Sequence, residues 1–186
     1  MNRPLFLAGQ FLLAMPGIGD ARFDRAAIAL CVHDDDGALG IDIGQAIEGL
    51  GLHEMLDQLD IDRGEAPDAP VCTGGPVEPG RGFVVHSRDW MGEGTIDVGG
   101  RWALSGSLDV LKAIAAGQGP KQWIVALGYA GWGPGQLDEE LGRHGWLNLA
   151  SDIGMMFDTP AGERWLAAFK QAGIDPTMLA AGAGRA

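Results

Sequence analysis

His86, Ser87 and Asp89 fall within four consecutive positions and carry the side-chain types of a hydrolytic triad. In such a triad a histidine takes the serine proton and a carboxylate orients the ring. Neighbours at the end of a strand project to opposite faces, however, so His86 is poorly placed to serve Ser87. No serine lies in a GxSxG elbow. His86 is expected to be a satisfied polar residue at a strand end. It is also the first candidate for a general acid or base if the chain holds an unrecognised catalytic site. No catalytic residue is assigned.

The stretch GYAGWGPGQLDEE (128–140) follows an apolar run and precedes a helical pattern, where a phosphate-binding loop would sit. A P-loop needs GxxxxGK[ST], with lysine for charge and a Ser or Thr hydroxyl for magnesium, and this stretch contains no Lys, Ser or Thr. The glycines also miss the dinucleotide spacing GxGxxG, and Pro134 removes a backbone N–H that a cradle would use. Asp138, Glu139 and Glu140 then occupy the first helical turn and satisfy its dipole themselves. The stretch reads as a stiff strand-to-helix turn. Its aromatic residues, Tyr129 and Trp132, are either a plug over the core or a contact for a ligand or partner, and for Trp132 the plug is preferred.

Metal chemistry finds little support. In HDDDG (33–37) the acids are adjacent, whereas a calcium loop spaces them alternately and closes with a glutamate, so a hairpin turn is expected. Cys31 lies within the apolar run AAIALCV, Cys72 stands apart from it, and no zinc spacing is present, so both are expected to be buried structural thiols. His53 and His144 fall on expected helices without a paired acid and read as surface residues. Neither a metal nor a cofactor is expected.

The formal charge of −12, from 25 acids against 13 bases, disfavours phosphate backbones and anionic lipid. The segment FKQAGIDPTMLAAG could mimic a helix-turn-helix, but its second half lacks base-reading or phosphate-binding side chains, and a packed helical hairpin is preferred. The amino-terminal MNRPLFLAGQFLLAMPG is interrupted at Gly9 and Gln10 and has no AxA-type cleavage site. With no window reaching the roughly eighteen apolar residues of a membrane span, a cytoplasmic location is expected.

The elements that must position these residues alternate along the chain. Strands are expected at 11–15, 27–32 and 38–43, a helix at 46–59 with Leu52, Met55, Leu56 and Leu59 on its apolar stripe, and a connector at 61–70. VCTGG, GFVVHS, TIDV and RWAL then suggest a meander of short strands. A helix at 107–117 is capped by Ser107, carries Leu108, Leu111 and Ile114 as its apolar stripe and ends at Gly117, and 123–127 is a strand. Helices follow at 137–145 and 159–173, the latter capped by Thr159, opened by Pro160 and buried along Trp165, Leu166 and Phe169. A short turn and a loose tail (181–186) close the chain. The 31 glycines, more than twice the usual share of roughly 7%, sit among aliphatic runs and mark turns and close backbone approaches. Residues 1–186 are read as one domain of α+β (mixed α/β) class, a mostly antiparallel or mixed sheet flanked by helices.

With these residues assembled, the chain resembles the AlgH/YqgE-like family of bacterial proteins. The similarity spans almost the full length and rests on FLLAMPGIGDARFDRA, GALGI (37–41), GGPVEPGRGFVVHS (74–87), ALGYAGWGPGQLDEEL (126–141), WL (146–147) and FDTPAGERW (157–165). The resemblance implies a single compact α/β-type domain in the cytoplasm and the label of transcriptional regulator, without agreed catalytic residues. The acidic charge argues against a direct DNA contact. One departure follows GALGI, where relatives continue with an apolar pair; Asp42 here suggests a more exposed strand end. The expected function is a non-enzymatic regulatory or binding protein acting through a protein or small-molecule partner. Its candidate surface comprises Gly74, Gly75, Arg81, His86, Tyr129, Trp132 and Gln136. The alternative is an enzyme with a site near His86.

Overall fold

Nine strands form one curled sheet in the computed structural model, which describes residues 6–150 and 152–183, with the side chains of 180–183 left aside. The strands are β1 (Phe11–Ala14), β2 (Ala27–Asp34), β3 (Gly37–Gly51), β4 (Pro70–Gly74), β5 (Val77–His86), β6 (Ile96–Val98), β7 (Trp102–Ser105), β8 (Trp123–Trp132) and β9 (Trp146–Leu149). Their order across the sheet is β6-β7-β5-β8-β4-β3-β2-β1-β9. The helices are α1 (Leu52–Gln58), α2 (Leu108–Ala115), α3 (Gln136–Gly142), α4 (Ile153–Asp158), α5 (Arg164–Gln171) and α6 (Pro176–Ala183). The chain is thus a single α+β domain. No described helix is long and apolar enough to cross a membrane.

Strand alternation divides the core. Val71, Val84 and Val125 face α1 and α2, where they meet Leu52, Leu56 and Leu111. Phe83, Val85, Ile124 and Ala126, one residue out of step, join Phe11, Ile41 and Trp102 on the other side. The β2–β3 hairpin turns at Asp35 and Asp36, with Asp34 Oδ1 accepting the Asp36 N–H, as HDDDG suggested. Cys31 and Cys72 are both buried and neither is disulfide-bonded; burial pushes the Cys31 thiol up to about 12.

Several expectations are corrected. The helix at 46–59 begins only at Leu52, because residues to Gly51 continue β3 and pair with β4. Ladder hydrogen bonds to β4 outweigh the helical spacing there. Leu59, just past the end of α1, is exposed, while Leu52, Met55 and Leu56 within it are buried. The four-strand meander is also broken: β8 inserts between β4 and β5, parallel to the first and antiparallel to the second. The helix at 159–173 divides. Thr159 ends α4, Pro160 precedes a 3-10 turn at Ala161–Glu163, and α5 buries Trp165 and Phe169 but leaves Leu166 exposed. His144 follows α3 in a left-handed conformation (φ 59°) rather than on a helix. Residues 181–183 of the expected loose tail complete α6; residues 184–186, and residues 1–5 of the amino-terminal stretch, lie outside the described residues.

Asp42 is not an exposed strand end. It is 4% exposed, and its Oδ1 accepts the N–H groups of Gly44 and Ala27 at 2.8 and 3.3 Å. Burial nevertheless dominates and pushes its carboxyl up to about 6, the two N–H donors pulling the other way.

Candidate functional site

The segment GGPVEPGRGF places the one cation of the candidate surface. On β5, Val77 pairs with Tyr129 of β8, yet the next pair is Gly82 with Leu127. Five steps along one strand therefore match two along the other, and Glu78–Arg81 bulge out of the sheet. Pro79, lacking an N–H, fits an unpaired position, and Glu78 adopts φ 45°, a strained value for a residue with a side chain. Bulges of this kind re-aim side chains. Here the bulge sets the Arg81 guanidinium over Phe83, with Cζ 4.9 Å from the ring centroid, a cation–π distance. Phe83 in turn meets Tyr129 edge to face at 5.8 Å. Arg81 also approaches Glu78 at 3.5 Å, an exposed pair that contributes little.

This ridge separates two clefts. One, of about 390 Å³, runs toward α1 and α2 and is walled by Met55, Leu59, Leu108 and Leu111. The other, of about 350 Å³, runs toward β6 and β7 and is walled by Leu39, Ile96, Leu104 and Tyr129. Arg81, Phe83, Gly106 and Ser107 line both. Gly106 keeps the floor flat, since a Cβ there would lie 3.4 Å from the Phe83 ring and 3.6 Å from Arg81 Nη2. Exposed large apolar side chains gather at the rims, with Leu59 and Leu108 on the first cleft and Ile96 on the second.

The other sequence candidates lie elsewhere. Trp132 is 7% exposed, sits at the end of β8 rather than in a loop, and pairs with Ala38 of β3. Its ring meets Trp146 edge to face at 5.9 Å, among Leu12, Ile28 and Leu137. It is the core plug, because GYAGW continues the ladder that WIVAL begins. Gln136, exposed at the start of α3, bonds back to the turn before it, its Oε1 accepting the Gly133 N–H at 3.0 Å. Gly74 is buried and Gly75 half-buried where the end of β4 meets the backbone of β8, so the pair shapes the fold rather than a surface.

His86 is fully enclosed. Nδ1 donates to the Ser87 carbonyl at 2.8 Å, which leaves Nε2 to accept from Ser105 Oγ at 2.8 Å. Ser105 is bonded to Thr95 Oγ1, itself bonded by the Gly92 N–H. Burial pushes the imidazole below its ordinary value, while the Ser87 carbonyl and Asp89 pull it up. This chain ties the 87–95 loop to the sheet. Ser87 points away and bonds Asp89, as the opposite-face expectation required.

Sequence reasoning passed over Phe83, two residues beyond Arg81 on the same strand, and over Gly106 and Ser107, whose proximity to Arg81 depends on the β5–β7 register. It also passed over Arg164. This arginine is 7% exposed, with Nε donating to the Met156 carbonyl at 2.9 Å and Nη1 to the Ile43 carbonyl at 2.8 Å. A charged residue beside the buried Trp165 on a helix was the available signal.

A family model described as AlgH-like matches residues 11–177. A UPF0301 protein of Rhizorhabdus wittichii is 56% identical over the whole of both chains, and one of Novosphingobium aromaticivorans 54% identical over the same extent. Among solved structures, the solution structure of the AlgH protein from Pseudomonas aeruginosa aligns with a TM-score of 0.77 at 39% identity, covering 96% of this chain and 95% of that one. A crystal structure from Corynebacterium diphtheriae aligns at 0.73 over 97% and 94% of the two chains; at 15% identity it shows the fold alone.

Proposed function

Because this chain belongs to the AlgH-like family, a membership that names no reaction, we propose from its own geometry that it is a non-enzymatic docking protein. Its occupant is an extended segment of a partner protein that places a carboxylate on Arg81 between two apolar side chains. The observation that carries this reading is the Arg81–Phe83 ridge, held by a strained bulge between two clefts with exposed apolar rims. Strain in a surface bulge is retained where it serves a purpose. Exposed apolar side chains gathered around a cation suit a protein contact better than a solvated face.

The other members of the expected surface take smaller parts. Tyr129 supports Phe83 and walls the second cleft, while Gly74 and Gly75 fix the end of β4 from which the bulge departs. A transcriptional role would then run through the partner, since a charge of −12 opposes direct contact with DNA. An anisotropy titration with duplex DNA at low salt, the most permissive condition, is expected to show no binding. An enzymatic reading centred on His86 would need substrate to reach a ring that is fully buried with both nitrogens engaged.

Quantitative pull-down from native lysate tests the docking surface, with Arg81→Ala and Leu108→Ser as surface variants. Each is expected to lower partner recovery about tenfold while the circular dichroism spectrum stays that of the wild type. Equal recovery by wild type and both variants would remove the ridge from consideration.

A further inference from the structure

Arg164 opens onto a third cleft, of about 370 Å³, which shares no lining residue with the two beside Arg81. Its walls include Cys72, Trp123, Phe157, Asp158 and Thr159. The arginine reaches this place because the α4–α5 corner folds back on the sheet, which lets its guanidinium grip the carbonyls of Met156 and Ile43. Nη1 also approaches Cys72 Sγ at 3.7 Å.

What is unusual is the charge balance. All three partners of the buried guanidinium are neutral, and Arg164 forms no ion pair among the described residues. Asp42 lies one residue before the gripped carbonyl, but its Oδ1 is bonded to Gly44 and Ala27. The hydrogen bonds of Arg164 to described residues run from Nε and Nη1, and its other terminal nitrogen, Nη2, makes none among them. A buried charge without a counterion is expensive, and burial already pulls this guanidinium below its ordinary value. The cleft supplies one further charge, Asp158, exposed and bonded at 3.5 Å only to Gln122.

We propose that this cleft binds a small monocarboxylate with a planar apolar body. The carboxylate is held by Arg164 Nη2, and the body lies between Trp123 and Phe157. A carboxylate matches guanidinium geometry and supplies the missing counterion. A phosphate dianion would bring more charge than one arginine beside Asp158 balances. Pockets of this size with apolar walls and a few convergent polar groups suit small organic ligands.

The test is a two-dimensional NMR titration of the full chain with sodium benzoate, with inorganic phosphate in parallel. Benzoate is expected to produce saturable shifts at the Arg164 Nε–H and at the backbone amides of residues 71–72, 123–124, 157–159 and 161. Arg164→Lys keeps the charge but loses the fork, and should weaken the apparent affinity about tenfold. Asp158→Asn, at an exposed position that spares the fold, should strengthen it about threefold by removing a like charge. No saturable shift with benzoate, shifts confined to the Arg81 ridge, or unchanged affinity in both variants would overturn the proposal. Phosphate binding as tight as benzoate would overturn the carboxylate assignment. Because the docking reading rests on Arg81, either can fail without the other.

Discussion

Gly74→Ala is expected to destabilise the protein by about 2–5 kcal/mol, combining a left-handed backbone penalty of about 1–2 kcal/mol with an overpacking cost of about 1–3 kcal/mol. Gly74 has φ 63°, and an added Cβ would lie 2.6 Å from the Leu127 carbonyl oxygen while striking that of Gly128. Both obstacles are backbone in the central strand β8, so neither can rotate away. Thermal unfolding should fall by roughly 10 °C for a chain of this size, and the urea midpoint should drop with little change in slope. Gly135→Ala is the matched control. Its φ of 71° imposes the same backbone penalty, but nothing lies within 4 Å of the added carbon. It should cost only that backbone penalty, about 1–2 kcal/mol. If the two variants unfold alike, the close approach of β4 and β8 is not what selects glycine at 74.

Asp42→Asn is expected to stabilise the protein at neutral pH, by as much as about 3 kcal/mol. Burial holds the folded carboxyl up at about 6 against an ordinary value of 3.8, and each unit of difference corresponds to about 1.4 kcal/mol. The shift is upward, so the folded state holds this proton more tightly than the unfolded chain. Stability from this group is therefore greatest at low pH, declines as pH rises from about 4 to about 6, and is flat above. Asparagine keeps an oxygen for the Gly44 and Ala27 N–H groups but carries no charge to bury. Urea unfolding of both proteins at mildly acidic and neutral pH isolates the contribution. The exposed carboxylates Asp20, Asp57 and Asp175, held low by their partners, titrate equally in the two. The gap between variant and wild type should open as pH rises. A gap of constant size would mean that Asp42 does not titrate in this window.

The strands at 11, 27 and 38 and most of the stripe of α2 were legible because their signals are local: aliphatic runs bounded by turn formers, and apolar residues at helical spacing. Leu111 and Ile114 are buried as that spacing required, but Leu108, at the first turn, is exposed. Residues 46–51 were not, because AIEGLG follows a helical spacing that the ladder to β4 overrides. The same non-local pairing drew GYAGW into β8 and brought Trp132 against GALGI, which is why a glycine-rich stretch that read as a loop is a strand. Asp42 read as exposed because no residue near it in sequence reveals that Ala27 donates to it across a hairpin. At the candidate site, Arg81 and Tyr129 were visible as a cation and an aromatic outside the apolar runs. Phe83 stands two residues from Arg81 on β5 but read only as part of an apolar run, Gly106 completes the ridge only through the β5–β7 register, and Arg164 meets Ile43 across more than a hundred residues.

The insertion of β8 between β4 and β5 sets the order in which a nascent chain can close. By the time β7 has left the ribosome, seven strands exist, yet β4 and β5 still await the strand that separates them. The far side of β1 stays open until β9 is made, and the carbonyls of Ile43 and Ala14 wait for the side chains of Arg164 and Trp165. Such an order leaves unpaired strand edges exposed through most of synthesis. Completion is then a late, concerted step, and a chain truncated before β8 would carry those edges permanently.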